Sequence, residues 1–583
     1  MRAGGYFRTS YPPELSNTMP PMQILRQPKV YDAIVVGSGA AGGMTALVLC
    51  QAGAKVLMLE AGANYDTARD SKMFQWPYEA PLRGGSTPQK PFGWFDASYG
   101  GWTVDGEPYT TAPGEEFLWW RSRMLGGRTN HWGRISLRMG PYDFKPYGRD
   151  GLGLDWPMTY EDVAPYYDKV EELIGVFGTK EGMENTPDGV FMPPPAPRCY
   201  ELLVKQACDE LHIPCIPSRL SIITRNHNGR PACHYCGQCG RACATGSNFS
   251  SPTVLLPPAL KTGNLEIRTD AMCREVMTDA EGKATGVSYV DRKTRQEVQA
   301  RARIVILCAS ACESARIMLN SRSSRFPNGL ANSSGLVGKY LMDTVGVSVG
   351  GFFPALMDRP AHNEDGVGGM HVYMPWWNYQ KKMPFPRGYH IEVWGGRGMP
   401  GSGIFSGAHR VIGGGYGSEL KSKYRQLYGA FVGFSGRGEM IPNDDCYCEI
   451  DPDVVDQWGI PVLRFHWKWA EAELLQARHM QETFWELIET MGGQVWRPEL
   501  PLKDWGIKKG GEIIHEVGTT AMGEDPKKSV LNQFCQSWDV KNLFVTDGGC
   551  FASNADKNPT LSIMAVAWRA SDYIADEIKK GSL

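Results

Sequence analysis

Short unbroken apolar runs separated by glycine-rich joints stand at both ends of this chain. Tyr31 to Val36 is such a run, and its lack of alternation predicts a strand covered on both faces, as in a parallel sheet. A helical run from Met44 to Gln51 follows, with Gly53 placed to end it. Lys55 to Glu60 then predicts a second strand, so the segment reads as one β-α-β unit. Residues 64–120, rich in Gly, Pro and aromatics, hold no period and predict an extended loop region. Tyr160 to Phe177 alternates charged and apolar residues at helical spacing. Arg303 to Ala309 reads as another buried strand, leading into a helix over Glu313 to Leu319. Between about 340 and 500, alternating segments such as Val345 to Val349 and Tyr447 to Ile450 are cut by glycine turns, which predicts a mainly antiparallel sheet. The tail returns to the first style, with a strand over Asn542 to Thr546 and a helix over Leu561 to Ile578. The pattern predicts an α/β fold carrying an α+β insertion.

Composition narrows the picture. With 583 residues the chain is long enough for two or more structural units. A net charge of -2 points to neither nucleic acid nor an anionic membrane as partner. No apolar run reaches the roughly 18 residues that span a bilayer. Met1 to Lys29 is polar and Pro-rich, without an apolar h-region or paired arginines, so the chain is expected to carry no export signal of its own. The 18 tryptophans suit a pocket for a ring-shaped ligand, and Trp376, Trp377 and Trp394 read equally well as a stacking platform or as core.

Two motifs carry chemistry. Gly37, Gly39 and Gly42, with Ala40 and Ala41 between, keep the G-x-G-x-x-G spacing directly after a strand and before a helix. The first glycine permits the tight turn, the second the approach of a pyrophosphate, and the third close helix–strand packing. Phosphate then lies at the helix N-terminus. Glu60, followed by Ala61, closes the second strand where a carboxylate meets an adenosine ribose. A dinucleotide is expected, and this motif alone does not separate FAD from NAD. The second motif is Cys233, Cys236, Cys239 and Cys243, spaced C-x2-C-x2-C-x3-C with Ala244 where a bacterial ferredoxin run has proline. Three readings stay open. They are an iron–sulfur cluster held by three or four of the thiols, a zinc ion, for which the spacing is cramped, and plain thiols or strained disulfides. Cys446 and Cys448 read as ordinary positions.

Later segments carry a resemblance. Arg123 to Gly133 joins the paired Gly126 and Gly127 to Asn130, His131 and Trp132; His515 precedes a Gly-Thr pair; Asp547 and Gly548 precede Asn558, Pro559 and Thr560. In this order they resemble the glucose–methanol–choline (GMC) flavin oxidoreductases over nearly the whole chain, and within them the sugar and glycoside dehydrogenase branch. The resemblance implies a Rossmann-like FAD-binding domain in three parts (29–140, 251–335, 511–583) and a connecting segment (141–225). It also implies an iron–sulfur segment (226–250) and an inserted substrate domain (336–510). It makes His515 the base, since imidazole suits proton removal near neutrality, and Asn558 the partner of the substrate oxygen. Arg123 to Gly133, Asp547, Gly548, Pro559 and Thr560 are placed along FAD. His131 is either a covalent flavin ligand or a ring packed on the isoalloxazine. The branch further implies a three-iron (3Fe-4S) cluster, a cytochrome c acceptor and a small signal-bearing subunit. That subunit would carry the enzyme to the periplasm; without it the chain is cytoplasmic. The expected substrate is a sugar or glycoside hydroxyl, at ring carbon 3 or the anomeric carbon. The competing expectations are a pyranose-type oxidase with structural cysteines and an electron-transfer subunit without substrate chemistry.

Overall fold

Val30–Val36 lies inside a sheet, both edges paired in parallel with Val56–Leu59 and Glu297–Leu307, and its apolar residues Ala33 to Val36 are buried. The computed structural model describes residues 29–359, 366–397, 412–413, 415–495 and 503–583; the expectation about an export signal falls mainly on residues outside these. Leu265–Arg268 extends the sheet beyond Val56–Leu59. Glu297–Leu307 is longer than its apolar run and has two halves. Glu297 to Arg301 pairs antiparallel with Ala284–Asp291, and Val305 to Leu307 pairs parallel with Leu543–Val545. A strand near the C-terminus is thus drawn to the middle of the N-terminal sheet. Its loop leaves beside the loop after Val36, at the carboxyl ends of parallel strands where ligands of open α/β sheets bind.

Two helices cover this end. Ala40–Gln51 begins four residues earlier than its apolar run, right at the glycine turn, and is buried from Ala41 to Cys50. Thr560–Lys580 packs against it, with Tyr160–Ile174 on the far side.

The inserted domain is built on a six-stranded sheet, antiparallel at every pairing, in the order Gln494–Val495, Val345–Phe352, Phe431–Gly438, Tyr389–Gly395, Val372–Met374, Ile216–Pro217, the last strand supplied by the connecting segment. The alternation inside these strands sorts the two faces. Tyr389, Ile391, Val393 and Phe434 turn toward the helix Glu471–Thr490, where Phe434 stacks on Phe484. His390, Glu392, Ser435, Arg437 and Ser348 share the other face.

One strand assignment changes. Tyr447–Val455 is not in this sheet; it pairs with Pro461–His466, which runs parallel to Thr110–Thr111 in a separate three-stranded sheet. Alternation shows that a strand has one wet face but not which sheet it joins. The fold is α/β, with a Rossmann-like dinucleotide unit and an inserted domain built on an antiparallel sheet.

Candidate active site

The glycine turn opens a cavity of about 360 Å³. Gly37 has φ +102°, and a Cβ there would stand 2.3 Å from the Cys308 carbonyl oxygen; one on Gly42 would stand 1.9 Å from the Gly37 carbonyl oxygen. Both glycines are required by backbone on backbone. Gly39 differs, since a Cβ on it meets nothing within 4 Å, and it faces the cavity together with Gly37, Ala40 and Ala41. Across the space lies Gly127, whose Cβ would come 4.0 Å from the Gly39 Cα. Glu60, Ala61 and Arg123 line the same cavity, as do Asp547 and Gly548, and so do His131, Trp132, Gly133, His515, Asn558, Pro559 and Thr560.

Gly42, Gly126 and Asn130, expected at the cofactor, stay behind the wall and shape it. Gly126 takes a left-handed conformation, φ +87°, with Pro252 where a side chain would go. Asn130 donates to the Leu125 carbonyl (2.9 Å) and ties down its own loop. The two glycine loops are joined through Ser38, whose Oγ donates to Glu60 and accepts the Gly126 N–H at 2.8 Å. Arg123 spends its guanidinium on Glu107 (2.7 Å) and Glu313 (3.1 Å), so it braces the cavity rather than offering a free cation. Asp547 caps the turn after Leu543–Val545, accepting from Gly549 N–H (2.8 Å), Ser314 Oγ (2.6 Å) and Ser310 N–H (3.1 Å). Burial pushes its carboxyl up to about 6.

At the other end the polar sheet face meets the C-terminal segment. His515 Nδ1 lies 3.0 Å from Thr344 Oγ1, and Nε2 lies 3.3 Å from Asn558 Nδ2. Asn558 Nδ2 also donates to Glu392 Oε1 (3.3 Å). A carboxylate only accepts, so the amide nitrogen must face Glu392. That leaves Asn558 Oδ1 buried without a partner. The Asn558 amide thereby donates to Nε2, which fixes the His515 proton on Nδ1, toward Thr344. Burial, then the Arg437 guanidinium, hold the imidazole down at about 3. Glu392 is pushed up by burial, but Arg437 at 2.8 Å, His390 and His515 outweigh this and keep it ionised, at about 2. Asp343 holds the backbone behind the histidine, accepting from His515 N–H (2.9 Å) and Ile513 N–H (3.3 Å).

Two family models, both described as GMC oxidoreductase, match residues 31–345 and 442–567. The chain belongs to the GMC oxidoreductase family. It is 31% identical to a 2-methyl-1,2-propanediol dehydrogenase of Mycolicibacterium austroafricanum, over 93% of this chain and 95% of that one. It is 26% identical to the fructose dehydrogenase large subunit of Gluconobacter japonicus, over 94% and 98%. Among solved structures, pyridoxine 4-oxidase from Mesorbium loti shares the fold at TM-score 0.60 and 17% identity, covering 93% of this chain and all but 1% of the other.

As a GMC oxidoreductase the chain is an FAD-dependent enzyme. The cavity fits that group, with facing Gly39 and Gly127, a glycine turn at a helix N-terminus, and a buried polar pair at the far end. His131 lies against the cavity with Nε2 3.0 Å from Ser122 Oγ and Nδ1 3.7 Å from Asp96; burial lowers its pKa. The cysteine patch differs from expectation. All four thiols are free and line one cavity of about 10 Å³, room for about one water. Among the described residues no three His, Cys, Asp or Glu side chains come together as a metal site. As placed, the patch does not fit a cluster. The tryptophans do not form a stacking platform at this cavity. Trp376 and Trp377 pack with Phe385, Tyr389 and His479, and Trp394 lies on the sheet over Gly433. Cys446 and Cys448 are buried core positions.

Thr344, Glu392, Arg437 and His390 were not found from the sequence. The signal was present as polar residues every second position in Tyr389–Gly395 and Phe431–Gly438, which reads as a solvated face until the sheet is docked on His515.

Proposed function

We propose that this enzyme is a dehydrogenase that oxidises a hydroxyl of a sugar or glycoside, with ring carbon 3 favoured over the anomeric carbon. The observation that carries the reading is the His515–Asn558 pair at the end of the cofactor cavity. Bound FAD supplies the hydride acceptor. His515, held neutral with its proton on Nδ1, takes the hydroxyl proton at Nε2 once the substrate hydroxyl displaces the Asn558 amide there. The Asn558 N–H released from Nε2 donates to the substrate oxygen while the other stays on Glu392, and the unpartnered Oδ1 accepts from a neighbouring hydroxyl, so a polyol suits the site better than a simple alcohol. His390, Glu392, Ser435 and Arg437 place further hydrogen-bonding groups beside it. The fructose dehydrogenase large subunit among the relatives supports a sugar substrate and partner subunits.

Electrons pass in this reading to a cytochrome c rather than to oxygen, in a periplasmic assembly with a small signal-bearing subunit. Cys233, Cys236, Cys239 and Cys243 are the residues assigned to a three-iron cluster, supported by their C-x2-C-x2-C-x3-C spacing alone; holding it requires the side chains to turn toward one another. His131, on the cavity wall, packs on the flavin ring in this reading, and a covalent bond to the flavin is the alternative that colour left on the protein after acid precipitation would reveal.

The test of the base pair is His515→Ala and Asn558→Ala in flavin-loaded enzyme, each expected to lower anaerobic flavin reduction by a sugar about 100-fold or more. Wild-type reduction in both variants removes the assignment. Iron analysis, with dye against oxygen turnover, decides the acceptor. The separated thiols favour a second reading, an oxidase with structural cysteines, which predicts peroxide and no iron.

A further inference from the structure

Lys557 is a buried charge that the chemistry above does not use. It directly precedes Asn558, is 7% exposed, and lies between two buried carboxylates. Its Nζ stands 3.1 Å from Asp143 Oδ2 and also pairs with Asp556 Oδ1. Asp143 belongs to the one-turn helix Pro141–Phe144, where its Oδ2 accepts the Gly140 N–H at 2.7 Å. Its carbonyl accepts from Ser553 Oγ (3.2 Å), which in turn accepts from Trp156 Nε1 (2.8 Å). The segment from Ser553 to Lys557 is therefore fastened to residues 140–144 at both ends.

Burying an ammonium costs several kcal/mol, and a well-packed apolar residue often stabilises a fold as well or better. What the ion triad adds is direction. Two charged contacts, one to each carboxylate, fix where the Asp556–Asn558 backbone lies, which an apolar contact does not. The Asp556 carbonyl accepts the His390 Nδ1–H. That ring places its Nε2 at 3.4 Å from Glu392 Oε1, the same oxygen that accepts from Asn558 Nδ2 at 3.3 Å. The contacts close a ring of residues: Lys557, Asp556, His390, Glu392, Asn558.

We propose that Lys557, clamped by Asp143 and Asp556, is a positioning residue that fixes the orientation of the Asn558 amide through the Asp556 carbonyl, His390 and Glu392. The inference rests on the reading of Asn558 as the group that meets the substrate oxygen. No contact places Lys557 on the cofactor cavity, since it is absent from its wall, so its effect reaches the reaction only through its neighbours.

The experiment uses full-length, FAD-loaded Lys557→Met and Lys557→Arg, with methyl α-D-glucopyranoside as substrate and an artificial dye as acceptor, alongside crystal structures. In Lys557→Met the flavin content is expected to hold, kcat per bound flavin to fall about 100-fold, the size of loss a misplacement near 1 Å produces, and KM to change little. Lys557→Arg restores most of the loss. In the Lys557→Met crystal structure the Asn558 amide has left either His515 Nε2 or Glu392. Unchanged kcat per bound flavin, even with a lower melting temperature, assigns Lys557 to stability alone and overturns the proposal, as does an Asn558 amide that has not moved. Should Lys557→Met fail to fold, Asp143→Asn weakens the clamp while keeping the ammonium on Asp556, and the same two results decide. If the wild-type enzyme oxidises no glycoside, the functional reading falls, and the Asn558 orientation in the variant crystal still decides the role of Lys557.

Discussion

Gly39 and Gly42 stand three residues apart in one turn, yet alanine should fail at each for a different reason. At Gly42 a Cβ would lie 1.9 Å from the Gly37 carbonyl oxygen, 2.9 Å from its carbon and 3.3 Å from Cys308 Cβ. The nearest of these atoms are backbone, between a buried strand and a buried helix, so the turn must open by about 1 Å to bring that oxygen to a tolerable contact. Overpacking of this kind costs about 3 kcal/mol where the surroundings cannot relax, and Gly42→Ala is expected to lower the melting temperature of apoprotein and holoprotein alike. Gly39→Ala carries no such cost. Its φ is -68° and nothing lies within 4 Å of the new methyl, so the apoprotein should melt as wild type does. The methyl projects into the cavity opposite Gly127, where the pyrophosphate approaches the backbone, and FAD affinity should fall about 10-fold or more. Differential scanning calorimetry of apoprotein, with calorimetric titration of FAD, separates the two. Wild-type FAD affinity in Gly39→Ala would refute the placement of the pyrophosphate, and a wild-type melting temperature in Gly42→Ala would refute the packing argument.

Two further predictions concern the polar end. Because burial and Arg437 hold His515 at about 3 against an ordinary 6.5, the imidazole becomes a free base as pH rises through about 3. The pH profile of kcat/KM should therefore show no acid limb near 6.5, and Arg437→Met, which removes a cation, should move the limb to higher pH; a wild-type limb at 6.5 contradicts this. Glu392→Gln removes the counter-charge of the Arg437 guanidinium, 17% exposed beside a carboxylate 13% exposed, and leaves it the neutral partners Ser435 Oγ and the Gly436 carbonyl; it should cost about 3 kcal/mol. Adding Arg437→Met should recover part of that loss in a thermal-unfolding double-mutant cycle, so strictly additive losses would dismiss the coupling.

The sequence by itself determined the dinucleotide turn, because Gly37, Gly39 and Gly42 answer to local backbone sterics and to contacts within one β-α-β unit. It also placed His515 and Asn558, through motif order, and the antiparallel character of the insertion, through alternation of side chains in its strands. Tertiary structure decided what depends on partners far along the chain. It put Leu543–Val545 beside Glu297–Leu307, and so Asp547 beside the first glycine turn. It brought Glu392 and Arg437, from two strands, and Thr344, just before a third, onto His515 from 78 to 171 residues away. Tyr447–Val455 went to a different sheet because alternation encodes one wet face and no neighbour. The tryptophans separated for a related reason: Trp376 is buried, Trp377 is half-buried and Trp394 is exposed, because ring size favours burial while the surface that does the burying is set only when the sheet and its helix close on each other. Local patterns specify elements and turns, and the assembly of a buried polar pair and its partners from distant elements is a property of packing.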